Sequence, residues 1–141
     1  MKMLHLNERI GEIVRFHVSL DGFNESVVSE AVALMRSKLA FVRTSSHFRD
    51  RETEKGVCRL RLEDVLAKGQ CFEYKLSNGR LYRMAFRVEG KNGVDACYVI
   101  QPGLTRNGKV GVLFVTGWLN ASDDHHSTLR KGAYGRRSNR H

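Results

Sequence analysis

Apolar positions along the chain follow two periods, and the change from one to the other falls at Gly69. Upstream they recur every three or four residues, as on one face of a helix; downstream they alternate at about every second residue, as in a half-buried strand. In residues 7–20, Ile10, Ile13, Val14, His17 and Val18 form one stripe behind Asn7, an N-cap residue, and Asp21-Gly22 stops the run. Asn24 is the next cap. Val27, Val28, Ala31, Leu34, Met35 and Leu39 then share one face of a helix predicted to run to about Phe41. Residues 44–69 predict two short helices. Thr44, Ser45 and Ser46 offer cap oxygens to the first, which starts near His47 and closes at Lys55-Gly56. The second carries Leu62, Val65 and Leu66 and closes at Lys68-Gly69.

Four strands are predicted after Gly69, over residues 71–76, 80–88, 94–101 and 109–118, all rich in aromatic and β-branched residues. Asn78-Gly79 and Asn92-Gly93 suit tight hairpins, because both residue types tolerate the positive φ of such turns. A longer break, residues 102–108, joins the last two strands. Consecutive hairpins make an antiparallel meander, so the expected class is α+β, with N-terminal helices packed on a four-stranded antiparallel sheet. Along the second strand, alternation puts Leu81, Arg83, Ala85 and Arg87 on a polar face. Arg80, Tyr82, Met84, Phe86 and Val88 fall on the face that meets the helices, which leaves no aromatic platform beside the arginines.

At 141 residues the chain suits one domain. We read residues 1–43 as a helical extension packed on the same domain, 44–128 as the α+β core and 129–141 as a basic tail, disordered when free. Apolar residues at 41% suffice for one core. Lys and Arg number 24 against 15 for Asp and Glu, a net charge of +9, and the pI is near 9.9. Such a balance favours a polyanionic partner, with nucleic acid first among them. Five of the cations, Arg130, Lys131, Arg136, Arg137 and Arg140, lie in the tail, which carries no acid. The opening residues contain acids where a signal peptide needs an unbroken apolar stretch, and no apolar run is long enough for a membrane span, so a cytoplasmic protein is expected. Cys58, Cys71 and Cys97 form no CxxC pair, so neither a disulfide framework nor a cysteine zinc site is indicated.

His47 and Arg51 stand four apart and so share one helix face. A histidine that moves a proton beside an arginine that holds phosphate charge meets the two needs of metal-free RNA cleavage, although such spacing is also common on ordinary surfaces. Asp123-Asp124-His125-His126 offers metal-binding side chains, but adjacent residues point apart and no distant third ligand accompanies them, so no metal site is expected. His125, just beyond the last strand, is the better candidate for a second acid or base. Arg83 and Arg87 are candidates for phosphate contacts across the sheet, which hold a backbone without reading bases; a solvated charged face would look the same.

The segments Ser46-His47-Phe48-Arg49-Asp50-Arg51, Lys55-Gly56-Val57 and residues 62–70 resemble a small bacterial and phage family of unknown function. Its signature runs His, three residues, Arg, three residues, Arg-Gly-Ile, then an acidic amphipathic helix ending in Gly. Leu113-Phe114-Val115-Thr116 resembles its closing strand. Here Lys55 replaces the second Arg and Val57 the Ile. That family in turn looks like the barnase, EndoU, colicin and RelE group of ribonuclease folds, in which RNA lies on the open face of the sheet. The resemblance implies His47 as general acid or base, Arg51 as phosphate clamp and Thr116 as a hydroxyl on the last strand.

The resulting expectation is a metal-independent ribonuclease or ribonuclease-like toxin, needing no cofactor. Its catalytic residues would be His47, Arg51, Thr116 and His125, with Arg83, Arg87, Arg130, Lys131, Arg136 and Arg137 on the nucleic acid. The alternative is a non-catalytic basic phage or mobile-element protein that binds nucleic acid or inhibits a host enzyme. Expected partners are RNA or other nucleic acid, and an antitoxin or host protein.

Overall fold

The computed structural model describes residues 24–55, 60–77, 80–121 and 134–136. The expected helix over residues 7–20, the Asn78-Gly79 turn, His125, Arg130, Lys131 and Arg137 lie outside them. Helix α1 spans Glu25–Ser37 and opens as its sequence dictates: the Asn24 side chain accepts the Ser26 amide at 2.9 Å. Its stripe of Val27, Val28, Ala31, Leu34 and Met35 is buried.

Beyond Ser37 the structure departs from the helical period. Leu39–Thr44 is strand β1, parallel to the last long strand, so the helix expected to reach Phe41 ends four residues earlier. The reason is tertiary. The Lys38 carbonyl accepts the Val110 amide at 2.7 Å, and Leu39, Phe41 and Val42 find ladder partners there that a longer helix would forgo.

Helix α2 (Ser46–Lys55) and helix α3 (Leu62–Lys68) follow. Gly69 closes α3, its amide donating to the Val65 carbonyl at 2.8 Å; a Cβ there would collide with that carbonyl, so close approach rather than unusual φ demands glycine. Strands β2 (Gln70–Ser77), β3 (Arg80–Val88), β4 (Val94–Leu104) and β5 (Val110–Ala121) form the expected antiparallel meander. Asn92 and Gly93, at φ 59° and 73°, make the β3–β4 turn.

The meander does not stand alone. Strand β6 (Tyr134–Arg136) pairs with β2, and the sheet has six strands in the order β1-β5-β4-β3-β2-β6, mixed because β1 is parallel to β5. Three residues of the expected disordered tail are therefore a strand. Pro102, expected in a loop, lies within β4 opposite Val112 and beyond the last β3–β4 pair at Ile100, where its missing N–H costs no bond to β3.

All three helices cover one face. Their apolar residues join Tyr74, Met84, Phe86, Tyr98, Ile100 and Phe114 in the main core, and α1 of the N-terminal segment is as much a part of it as the meander. A small second cluster, Ala85 and Val99 with Phe72, Val115 and Trp118 against them, marks the opposite face and contains no helix residue. Among the described residues no helix is long and apolar enough to cross a membrane.

Candidate nucleic-acid interface

Ser45 anchors the helix that carries His47 and Arg51. Its hydroxyl accepts the Phe48 amide at 3.0 Å, the N-cap bond, and donates to the Val115 carbonyl at 2.6 Å. Phe48 is fully buried and packs against Tyr98 and Phe114. His47, next to it in the first turn, is exposed. Arg51 lies one turn further along the same helix.

The face away from the helices is organised in rows across the strands. Thr116, half-buried on β5, pairs with Val99, which in turn faces Ala85 and belongs to the second cluster. Phe48, by contrast, reaches the helix-covered face. Thr116 therefore lies on the face away from the helices. No group of three metal-binding side chains occurs among the described residues.

Arg83 and Arg87 both lie on the second face, but in different states. Arg87 donates to Asp95 Oδ2 at 3.1 Å in a largely buried ion pair, also donates to the Ala121 carbonyl, and lies 5.6 Å from the Phe72 ring centroid. Asp95 Oδ1 in turn accepts the Gly90 amide, so this arginine serves the β3–β4 hairpin. Arg83 instead donates through Nε to Gln101 Oε1 at 3.2 Å and stacks 4.6 Å over the Tyr82 ring.

Tyr82 corrects the face assignment of β3. An irregularity in the β2–β3 register, between Lys75 and Leu76, turns fully buried Leu81 into the main core and leaves Tyr82 half-buried and outside it. An aromatic ring therefore does accompany an arginine on this strand.

Register also assembles a row that no sequence period indicates. Lys75 pairs with Arg83, Arg83 bonds Gln101, Gln101 pairs with Leu113, and Leu113 pairs with Arg43. The row crosses five strands, about 19 Å at ~4.8 Å per strand. Its far end repeats the arginine-on-ring arrangement: Arg43 lies 4.7 Å over Phe41, and a Cβ on Gly111 would collide with that ring. A guanidinium resting on a ring keeps its edge donors directed outward, in the geometry that grips phosphate. Sequence reasoning missed Arg43, Lys75 and Gln101. Arg43 lay past a supposed helix, and only cross-strand pairing aligns the other two with it.

No protein-family model, curated protein or solved structure matches the chain. The resemblance drawn from Ser46–Arg51, Lys55–Val57, residues 62–70 and Leu113–Thr116 thus rests on those residues alone.

Proposed function

We propose that the protein binds RNA, or another single-stranded nucleic acid, across the sheet face away from its helices. One observation carries the reading: the row of Lys75, Arg83, Gln101 and Arg43, flanked by the rings under its two arginines. Point cations spaced along a strand hold phosphates without base readout, and adjacent aromatic and guanidinium planes favour unstacked bases. The net charge of +9 adds general attraction, to which Arg130, Lys131, Arg136 and Arg137 of the tail contribute. Arg87, held by Asp95, contributes less.

The test is affinity for poly(U) as a function of salt. Replacing Arg43, Lys75 or Arg83 by Ala should each weaken binding and reduce the salt slope by about 0.7, the value per phosphate for single strands. Slopes that stay unchanged in all three variants would remove the row from the interface.

A narrower second reading, a metal-independent ribonuclease or ribonuclease-like toxin, draws on exposed His47 in an anchored helix with Arg51 one turn on. His47 would take the 2'-hydroxyl proton as that oxygen attacks the adjacent phosphorus and return it to the 5'-oxygen as the P–O5' bond breaks, Arg51 would hold the phosphate, and His125 or Thr116 would assist. On this reading the protein works in the cytoplasm under the control of an antitoxin or host partner. Cleavage in excess EDTA that leaves 2',3'-cyclic phosphate ends distinguishes it from binding alone.

A further inference from the structure

The sheet ends on β1, and among the described residues nothing pairs with its outer side. Such an edge presents a line of backbone donors and acceptors ready for another strand. Where β1 begins, a depression of about 170 Å³ opens beside it. Met35 of α1 and Leu62 and Leu66 of α3, all buried, supply its apolar lining, and Leu39, 43% exposed, forms its lip. The surroundings are cationic. Arg36, Lys38 and Arg43 are all exposed, while the one acid in the depression, Glu63, has Arg61 beside it at 3.8 Å.

We propose that this edge accepts an extended acidic segment of a partner protein, which adds to β1 as a further strand. One apolar side chain of the segment fills the depression, and its carboxylates face Arg36, Lys38 and Arg43. Backbone pairing supplies the affinity of such a strand addition, and the pocket and charges supply its selectivity. A second copy of this chain is the wrong occupant. Antiparallel pairing of two β1 strands would bring two copies of this cationic edge together, in molecules that each carry +9. The register irregularity between Leu39 and Phe41 further disfavours a flat self-paired ribbon. Opposite charge meets no such barrier. This inference concerns a protein partner; it shares Arg43 with the nucleic-acid row, and its test uses Leu39 and Arg36, which lie outside that row.

The experiment uses the full chain and a fluorescein-labelled decapeptide in which Glu alternates with Val around a central Leu. Anisotropy should report saturable binding at least tenfold tighter than for the same peptide with Lys in place of Glu. Amide exchange in residues 39–44 should slow on binding. Leu39→Glu and Arg36→Glu change exposed side chains, so both variants keep the fold, and each should weaken binding at least tenfold. Failure to bind the acidic peptide, equal binding of both peptides, or binding that leaves exchange in β1 unchanged would overturn the proposal. So would sedimentation showing a dimer of the protein that Leu39→Glu dissociates.

Discussion

Ser45 and Val115, seventy positions apart, are joined by a 2.6 Å hydrogen bond from the serine hydroxyl to the valine carbonyl. The same hydroxyl caps α2 through the Phe48 amide, and the Ser45 amide donates to the Phe114 carbonyl at 2.9 Å. One residue thus starts a helix and fixes that helix to the sheet. Ser45→Ala should lower stability by about 1 to 2 kcal/mol, the range of a lost N-cap together with a lost part-buried bond. Urea denaturation checks this; a change within ~0.5 kcal/mol, ordinary for a surface site, would deny the anchoring role.

Asp95 and Arg87 face each other across β3 and β4 with little solvent access to either side chain. Asp95→Ala strands the guanidinium and frees the Gly90 amide, and should cost about 3 kcal/mol or more. Replacing both partners, Arg87→Met with Asp95→Leu, should recover most of that loss, because no uncompensated charge stays buried. Denaturation of the single and double variants gives the comparison. A double variant as unstable as Asp95→Ala would show that the pair itself, not its disruption, matters.

Tyr74 ties β2 to the start of α1: its hydroxyl accepts the Asn24 amide at 3.2 Å. Burial pushes its phenol pKa above 10.0, against a smaller downward pull from the Asn24 bond. A raised folded-state value favours the protonated form, so this contribution is complete below the pKa of the unfolded chain, near 10, and is lost as pH rises through the folded-state value. Wild-type stability should therefore fall more steeply above pH 10 than that of Tyr74→Phe. Melting curves from pH 8 to 11 for both proteins would show parallel declines if Tyr74 took no part.

His47 and Arg51 separate the two functional readings. If the protein cleaves RNA, His47→Ala should lower the rate by about 10²- to 10⁴-fold, the usual contribution of a general acid or base. Its exposure means that folding and RNA affinity should hardly change. Arg51→Ala should weaken both affinity and rate, because a guanidinium meets phosphate in the ground state and in the transition state. Undiminished cleavage by His47→Ala would end the assignment of this histidine.

Local pattern determined much of this protein. The Asn24 cap, the buried stripe of α1, the close of α3 at Gly69, the Asn92-Gly93 turn and all four meander strands follow from period and turn chemistry, which are properties of neighbouring residues. The net charge of +9 is likewise a property of the sequence alone. Tertiary structure decided the rest. Leu39–Thr44 became a strand because β5 offered it a parallel ladder, although Leu39 continues the helical stripe. Leu81 turned into the main core, and Tyr82 stayed out of it, at a register irregularity. Arg43, Lys75, Arg83 and Gln101 lie on four different strands, and what aligns them is hydrogen-bond register between segments distant in the chain. Register is a long-range quantity set by whole-core packing, and a shift of one residue would turn each of these side chains to the opposite face.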